Sequence, residues 1–190
     1  MTITYLPAAG YETLPWKNGE GFTDEICLRP DGASREDFAL RISSAPILES
    51  GVFSAFPGAE RVITLIEGSA LDLRFATHTH RLLPFRPYFF DTGLAPVGTP
   101  DGGPVRVVNV MAARAAWKVA GADLLSAPAL CDAGENGLIV LFAVSGEWHL
   151  RKADGTLALA PRDSALLEGA QPVPVEGAGQ MLAVQMQRAG

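Results

Sequence analysis

Arg61-Val-Ile-Thr-Leu-Ile-Glu-Gly-Ser-Ala-Leu-Asp-Leu-Arg74 reads as a strand, a glycine-containing turn and a second strand. Gly137-Leu-Ile-Val-Leu-Phe-Ala-Val-Ser-Gly-Glu-Trp-His-Leu150 has the same shape. An apolar segment broken by proline follows each. In the first half it is Arg81-Leu-Leu-Pro84, running on to Tyr88-Phe-Phe-Asp91; in the second it is Leu157-Ala-Leu-Ala-Pro161, running on to Ala165-Leu-Leu-Glu168. The offsets agree: 78 residues separate Gly68 from Gly146, and 77 separate Pro84 from Pro161. A long period with strand alternation means two copies of one β unit, since a solenoid needs at least three repeats. Short strands joined by Gly and Pro turns point to a sandwich or barrel.

The composition agrees. In 190 residues there are 20 Gly and 14 Pro, which leave little room for long helices. Apolar residues make up 48% and charged residues 19%, which excludes a disordered tail. A chain of this size buries about 70% of its unfolded surface, so it needs no staple. The net charge of −6 argues against nucleic acid or an anionic membrane as partner. Cys27 and Cys131 stand far apart with no C-x-x-C pair and are expected as buried free thiols. Met1–Pro7 has neither the basic nor the apolar region of a signal peptide, and the longest apolar run, Leu138–Val144, is too short to span a bilayer. A cytoplasmic protein is expected. The same run reads as a strand buried on both faces. Gly93–Pro104, rich in Gly and Pro, reads as a surface loop. Met111–Val119 and Asp123–Ala127 are the segments where a turn or two of helix is expected.

Strand, glycine, strand and a proline-broken strand resembles the cupin repeat, a small jelly-roll barrel. The expected fold is all-β: two tandem cupin barrels with little helix, residues 1–115 and residues 116–190, with strand exchange across the boundary allowed. More specific features lie in the first half. Trp16-Lys-Asn-Gly19, Gly21 and Thr23 look like the W-x-N-G-x-G-x-T opening of the HutD/Ves family. Phe38-Ala-Leu-Arg41-Ile-Ser43-Ser-Ala45 is similar to its F-x-W-R-I-S-x-A. Gly51-Val-Phe53-Ser54-Ala-Phe56-Pro57-Gly58-Ala-Glu-Arg61 matches its G-x-F-S-x-F-P-G-x-x-R. Pro104-Val-Arg-Val-Val-Asn109-Val-Met111 resembles its P-v-x-D-x-N-x-M. Leu40 stands where that family usually has an aromatic residue, and Val107 where it usually has Asp. The resemblance implies a bicupin tied to histidine utilisation or stress responses, with no established catalytic activity and a small carboxylate as ligand. The second half matches in shape only, as scaffold or dimer partner, and a homodimer is expected from edge strands and bicupin precedent.

Arg61 is the sharpest candidate. The Pro57-Gly58 turn delivers it to a strand where Arg61, Ile63 and Leu65 share one face. A charge on an apolar face needs a partner. A bound carboxylate gripped by the guanidinium fork, an internal Asp or Glu, or a wet rim would each serve. Arg41 and Ser43 share a strand face opposite Phe38, Leu40 and Ile42. The plainer reading of that face is solvent, and the alternative is a cavity mouth. Asn109, beside Val107 and Met111, either pins a loop or donates to a ligand. Trp16 and Asn18 read as a pocket wall and an orienting hydrogen bond if the resemblance carries over; otherwise the glycines there only allow close packing. His78 and His80 share a strand-type face, but no acid follows them and His149 lies in the other repeat, so a solvated turn is expected and no metal or other cofactor. Glu25, Asp24 or Glu67 could supply acid–base chemistry in space, which sequence does not resolve. No G-x-S-x-G elbow or Cys–His pair is present to serve a nucleophile. A metal-free carboxylate binder of micromolar to millimolar affinity is the leading reading. A cupin isomerase or lyase, or a scaffold without ligand, are the alternatives.

Overall fold

The computed structural model describes residues 1–16 and 21–190. In chain order the strands are β1 (Thr2–Leu6), β2 (Glu12–Pro15), β3 (Phe22–Arg29), β4 (Leu40–Ile47), β5 (Gly51–Val52), β6 (Ala59–Glu67), β7 (Ala70–Arg74), β8 (Thr79–Leu82) and β9 (Tyr88–Asp91). They continue with β10 (Val97–Asp101), β11 (Val105–Ala113), β12 (Trp117–Leu125), β13 (Ala129–Cys131), β14 (Gly134–Lys152), β15 (Gly155–Leu159), β16 (Ser164–Gly169) and β17 (Val173–Arg188). Helix among the described residues is confined to two 3-10 turns, Ala8–Gly10 and Thr92–Leu94. The all-β class read from the repeat is the class observed.

Two local expectations fail. Met111–Val119 and Asp123–Ala127 form no helix: β11 runs to Ala113, Ala116 N–H donates to the Ala113 carbonyl at 2.9 Å, and β12 carries the chain to Leu125. Strand partners outweigh the weak helical preference of those residues. Gly93–Pro104 is not simply a loop, because it contains β10, which pairs with β5 and β7. Pro100 lies beyond the last β5 pair, where β10 is an edge and its missing N–H is not needed.

The chain divides into two compact units, residues 12–117 and residues 1–11 with 118–190. Residues 1–11, which the repeat alone grouped with the first unit, join the second because β1 pairs with β16. The Asp163 carboxylate holds them there, accepting from the Tyr5 hydroxyl and the Ala8 N–H, each at 2.8 Å.

In the first unit, β2-β3-β4-β11-β6-β9 form one sheet and β5-β10-β7-β8 another. Ile47, Ile63, Leu65, Val105 and Val107 of the larger sheet pack on Leu71, Leu73 and Leu82 of the smaller. In the second unit the same scheme uses longer strands. The first half of β14 pairs with β16 and β17, as β6 pairs with β9 and β11. The second half pairs with β15 and β17, as β7 pairs with β8 and β10. Where the first unit breaks the strand at Gly68, the second bends it at Gly146. There φ is +79°, and a Cβ would lie 1.8 Å from the Ala178 carbonyl oxygen. The bend folds Trp148, Leu150, Val173 and Val175 onto Ile139, Leu141 and Leu167. Leu138–Ala143 is buried on both faces, as its unbroken apolar run anticipates. Both cysteines are free thiols, Cys131 buried and Cys27 partly so. No described helix is long and apolar enough to cross a membrane.

The bend makes a direct prediction. Gly146→Ala should cost at least about 2 kcal/mol in urea unfolding, through a positive φ and a carbonyl clash. Gly121→Ala, with nothing within 4 Å of its added Cβ, should stay within about 1 kcal/mol of the parent. Equal effects at the two positions would refute the bend as drawn.

Candidate functional site

Strand register in the larger sheet of the first unit builds the site. One row across it reads Leu28, Arg41, Met111, Arg61, Phe90. The next reads Glu25, Ser43, Asn109, Ile63, Tyr88. Directly paired residues point to the same side of a sheet. The inner face therefore changes character along its length, from apolar Ile47, Val105, Val107 and Leu65 to the polar group Arg41, Ser43, Arg61 and Asn109. Of the residues singled out from sequence, these four come together here. The solvent reading of Arg41 and Ser43 is wrong: Arg41 is only 7% exposed, and Leu40 and Ile42 on the opposite face are buried too.

A β-bulge in β3, between Glu25 and Cys27, aims the Glu25 carboxylate at Arg41. Arg41 Nε donates to both Glu25 oxygens, at 3.0 and 3.2 Å, and Nη2 donates to one at 2.9 Å. The planar guanidinium fork suits such bidentate contact. Arg35 approaches the same carboxylate at 3.6 Å from a wetter position. Arg41 also lies 5.3 Å from the Phe56 ring centroid.

Arg61 has no such partner. It is 3% exposed and is flanked by the rings of Phe53 and Phe90, at 5.2 and 5.4 Å. Its Nη2 donates to the Ser54 carbonyl at 3.1 Å, and its Nε has no hydrogen-bond partner among the described residues. No described carboxylate pairs with it, and its burial contradicts the wet-rim reading. Burial, with Arg41 nearby, pushes the guanidinium down to about 9. Arginine gives up its proton reluctantly. The shift is felt as a folding cost, which an anion would offset. Cation–π contact with two rings recovers part of that cost.

The surroundings hold Arg61 in place. Phe53 N–H donates to the Pro96 carbonyl at 2.9 Å, and the buried Thr92 hydroxyl lies against the Phe56 and Ala59 carbonyls. Phe53 reaches its position over Gly98, where a Cβ would come within 2.4 Å of its ring. Phe53 and Phe56 stand in the Gly51–Arg61 motif itself, so their nearness to the guanidiniums had a sequence signal. Glu25 had none, because its partner depends on the bulge.

Trp16 packs against the same core, and its Nε1 donates to Thr23 Oγ1 at 2.9 Å. Asn18 lies outside the described residues. Asn109 is 6% exposed, and its Oδ1 is buried with no partner among the described residues, so that oxygen pins no described loop. Asp24 and Glu67, the other acids considered, face Arg106 instead, at 3.2 and 3.7 Å. His78 and His80 are not both in a turn, since His80 sits in β8. His80 stacks on Tyr88 at 3.6 Å and His78 on Phe75 at 4.6 Å, and burial and His78 lower the His80 pKa. Among the described residues no three His, Cys, Asp or Glu side chains gather as metal ligands. Leu40, the departure from the aromatic pattern, faces away from the site. Val107, the departure from Asp, lies in the apolar floor beneath Asn109.

The family model described as HutD matches residues 8–183. An uncharacterized 21.2 kDa protein of the hutC 3′ region of Pseudomonas putida is 40% identical over 111 residues, 57% of this chain and 57% of that protein. The match thus spans little more than half that relative's length. Protein Ves of Citrobacter koseri is 37% identical over 139 residues, 71% of this chain and 69% of its own. The structure of HutD from Pseudomonas fluorescens superposes over 100% of both chains with a TM-score of 0.83 at 27% identity. More distant cupin-fold structures share the architecture alone.

Substitutions at Arg61 and at the Glu25 partner of Arg41 should have opposite effects in buffer free of small acids. Arg61→Met removes an unpaired buried cation and should raise stability by about 1–4 kcal/mol. Glu25→Ala strands Arg41 and should cost about 3–5 kcal/mol. Denaturant unfolding measures both. A destabilised Arg61→Met would show that Arg61 already has its counter-charge within the protein.

Proposed function

Because the chain belongs to the HutD family, we propose that it is a binding protein for a small carboxylate metabolite, held on Arg61. The observation that carries this reading is the buried Arg61 Nε with no partner among the described residues. A carboxylate is planar, negative and an acceptor at both oxygens, so it supplies what the guanidinium lacks. Phe53 and Phe90 would flank the acid and keep water from it, in a setting where charge–charge attraction is strong. Trp16 would form a wall and Ser43 and Asn109 would supply polar contacts. Asn18 is assigned by motif only.

Two findings on relatives support the choice of ligand class. One relative is encoded in a hutC 3′ region, and the HutD structure of Pseudomonas fluorescens was solved in a formate condition. We propose further that the protein acts in the cytoplasm as a buffer or sensor of an acid from histidine breakdown. Glu25, the acid of the site, is engaged by Arg41, and binding rather than turnover is the function proposed.

Thermal shift with formate, acetate, glutamate, formylglutamate and urocanate tests the proposal. An acid at about 100 times its Kd should stabilise the protein by about 2.7 kcal/mol, several degrees in Tm. Arg61→Met should abolish the shift while keeping the fold by circular dichroism. A shift that survives in Arg61→Met, or no shift with any acid, would overturn the proposal.

A further inference from the structure

We infer that the acid this site takes is a monocarboxylate with an O–H or N–H donor close to its carboxylate, with Asn109 as the acceptor of that donor and Glu25 as the residue that limits the ligand's charge. The inference rests on the reading of Arg61 as the acid-binding residue. It starts from a second unsatisfied atom. Asn109 Oδ1 is as buried as Arg61 Nε, lies on the same face and likewise has no described partner. The two residues are diagonal neighbours on adjacent strands, because Asn109 pairs with Ile63 and Met111 with Arg61. Diagonal neighbours stand about 7–8 Å apart, within reach of one short ligand.

The two atoms make opposite demands. Arg61 Nε is a donor in need of an acceptor, and Asn109 Oδ1 is an acceptor in need of a donor. An ionised carboxylate offers acceptors only, so it answers Arg61 and leaves Asn109 unmet. A hydroxyl or amide N–H on the ligand's next carbons answers Asn109. A site that hydrogen-bonds a ligand's donor discriminates against the analogue without it, because the buried acceptor is then left bare.

Charge sets the second limit. Glu25 already occupies Arg41 through three hydrogen bonds. Arg35 stands at the solvent edge, its side chain 28% exposed, where water screens it. Among the described buried groups one positive charge, that of Arg61, lacks a counter-charge. A second carboxylate on the ligand would be buried near Glu25 with no described buried cation free to receive it.

Calorimetric titration of the full chain with propionate, lactate, 3-hydroxypropionate and malate tests this. At least one hydroxy acid should bind about 5-fold more tightly than propionate, and malate no more tightly than that hydroxy acid. In Asn109→Leu the preference for the hydroxy acid should fall to near one. In Glu25→Gln malate should gain about 10-fold relative to the hydroxy acid; should that variant not fold, the ratios in the parent and in Asn109→Leu decide. Propionate binding as tightly as both hydroxy acids overturns the donor assignment and leaves acid binding by Arg61 standing; it is also the result expected if water alone bridges the two atoms. Malate binding most tightly to the parent overturns the charge limit. Failure of every acid to bind overturns this inference together with the reading beneath it.

Discussion

A guanidinium sealed from water needs negative charge, and Arg61 has none among the described residues. It is held by one backbone carbonyl and two aromatic faces, with Nε bare. Much of the first unit serves to keep it that way. The Phe53–Gly58 turn places the aromatic wall, Thr92 lies against that turn, and Gly98 leaves room for Phe53. The proposed acid, arriving from outside, would offset the cost of burying a cation that has no described counter-charge.

The contrast with Arg41 gives the site its character. The two arginines sit in one cross-strand row with Met111 between them. One is saturated by Glu25, and the other is not. Two guanidiniums on one face repel each other, and Glu25 settles the first so that the second can remain charged. The bulge in β3 that aims Glu25 is thus as much a part of the site as the arginines are. In the second unit, the Leu138–Ala143 stretch of the corresponding strand is apolar on both faces and holds no charged residue. The shared pairing scheme therefore carries a polar interior in one copy and an apolar one in the other.

Sequence made the architecture legible because the repeated strand–glycine–strand pattern depends on alternation and turns, which are local. It also named Arg41, Ser43, Arg61 and Asn109, since strand parity groups them onto faces once the strands are known. What it missed depended on register between distant strands. Glu25 could be matched to Arg41 only through the bulge, and Arg41 could be called buried only once both sides of its sheet were seen to be covered. Gly93–Pro104 hid β10 because proline and glycine mark loops in most settings, yet here one glycine admits an aromatic ring and one proline occupies an edge. Met111–Val119 misled through helical propensity that strand pairing overrode, of Met111–Ala113 with β4 and β6 and of β12 with β17.

The most direct test of the whole picture is a high-resolution crystal structure of the protein grown with a small hydroxy acid at neutral pH. The expected result is a planar carboxylate within about 3 Å of Arg61 Nε, between Phe53 and Phe90, with Arg41 still bound to Glu25. An Arg61 side chain paired instead with an acidic residue of the protein's own chain would contradict it, because the site would then have no charge left to offer a ligand.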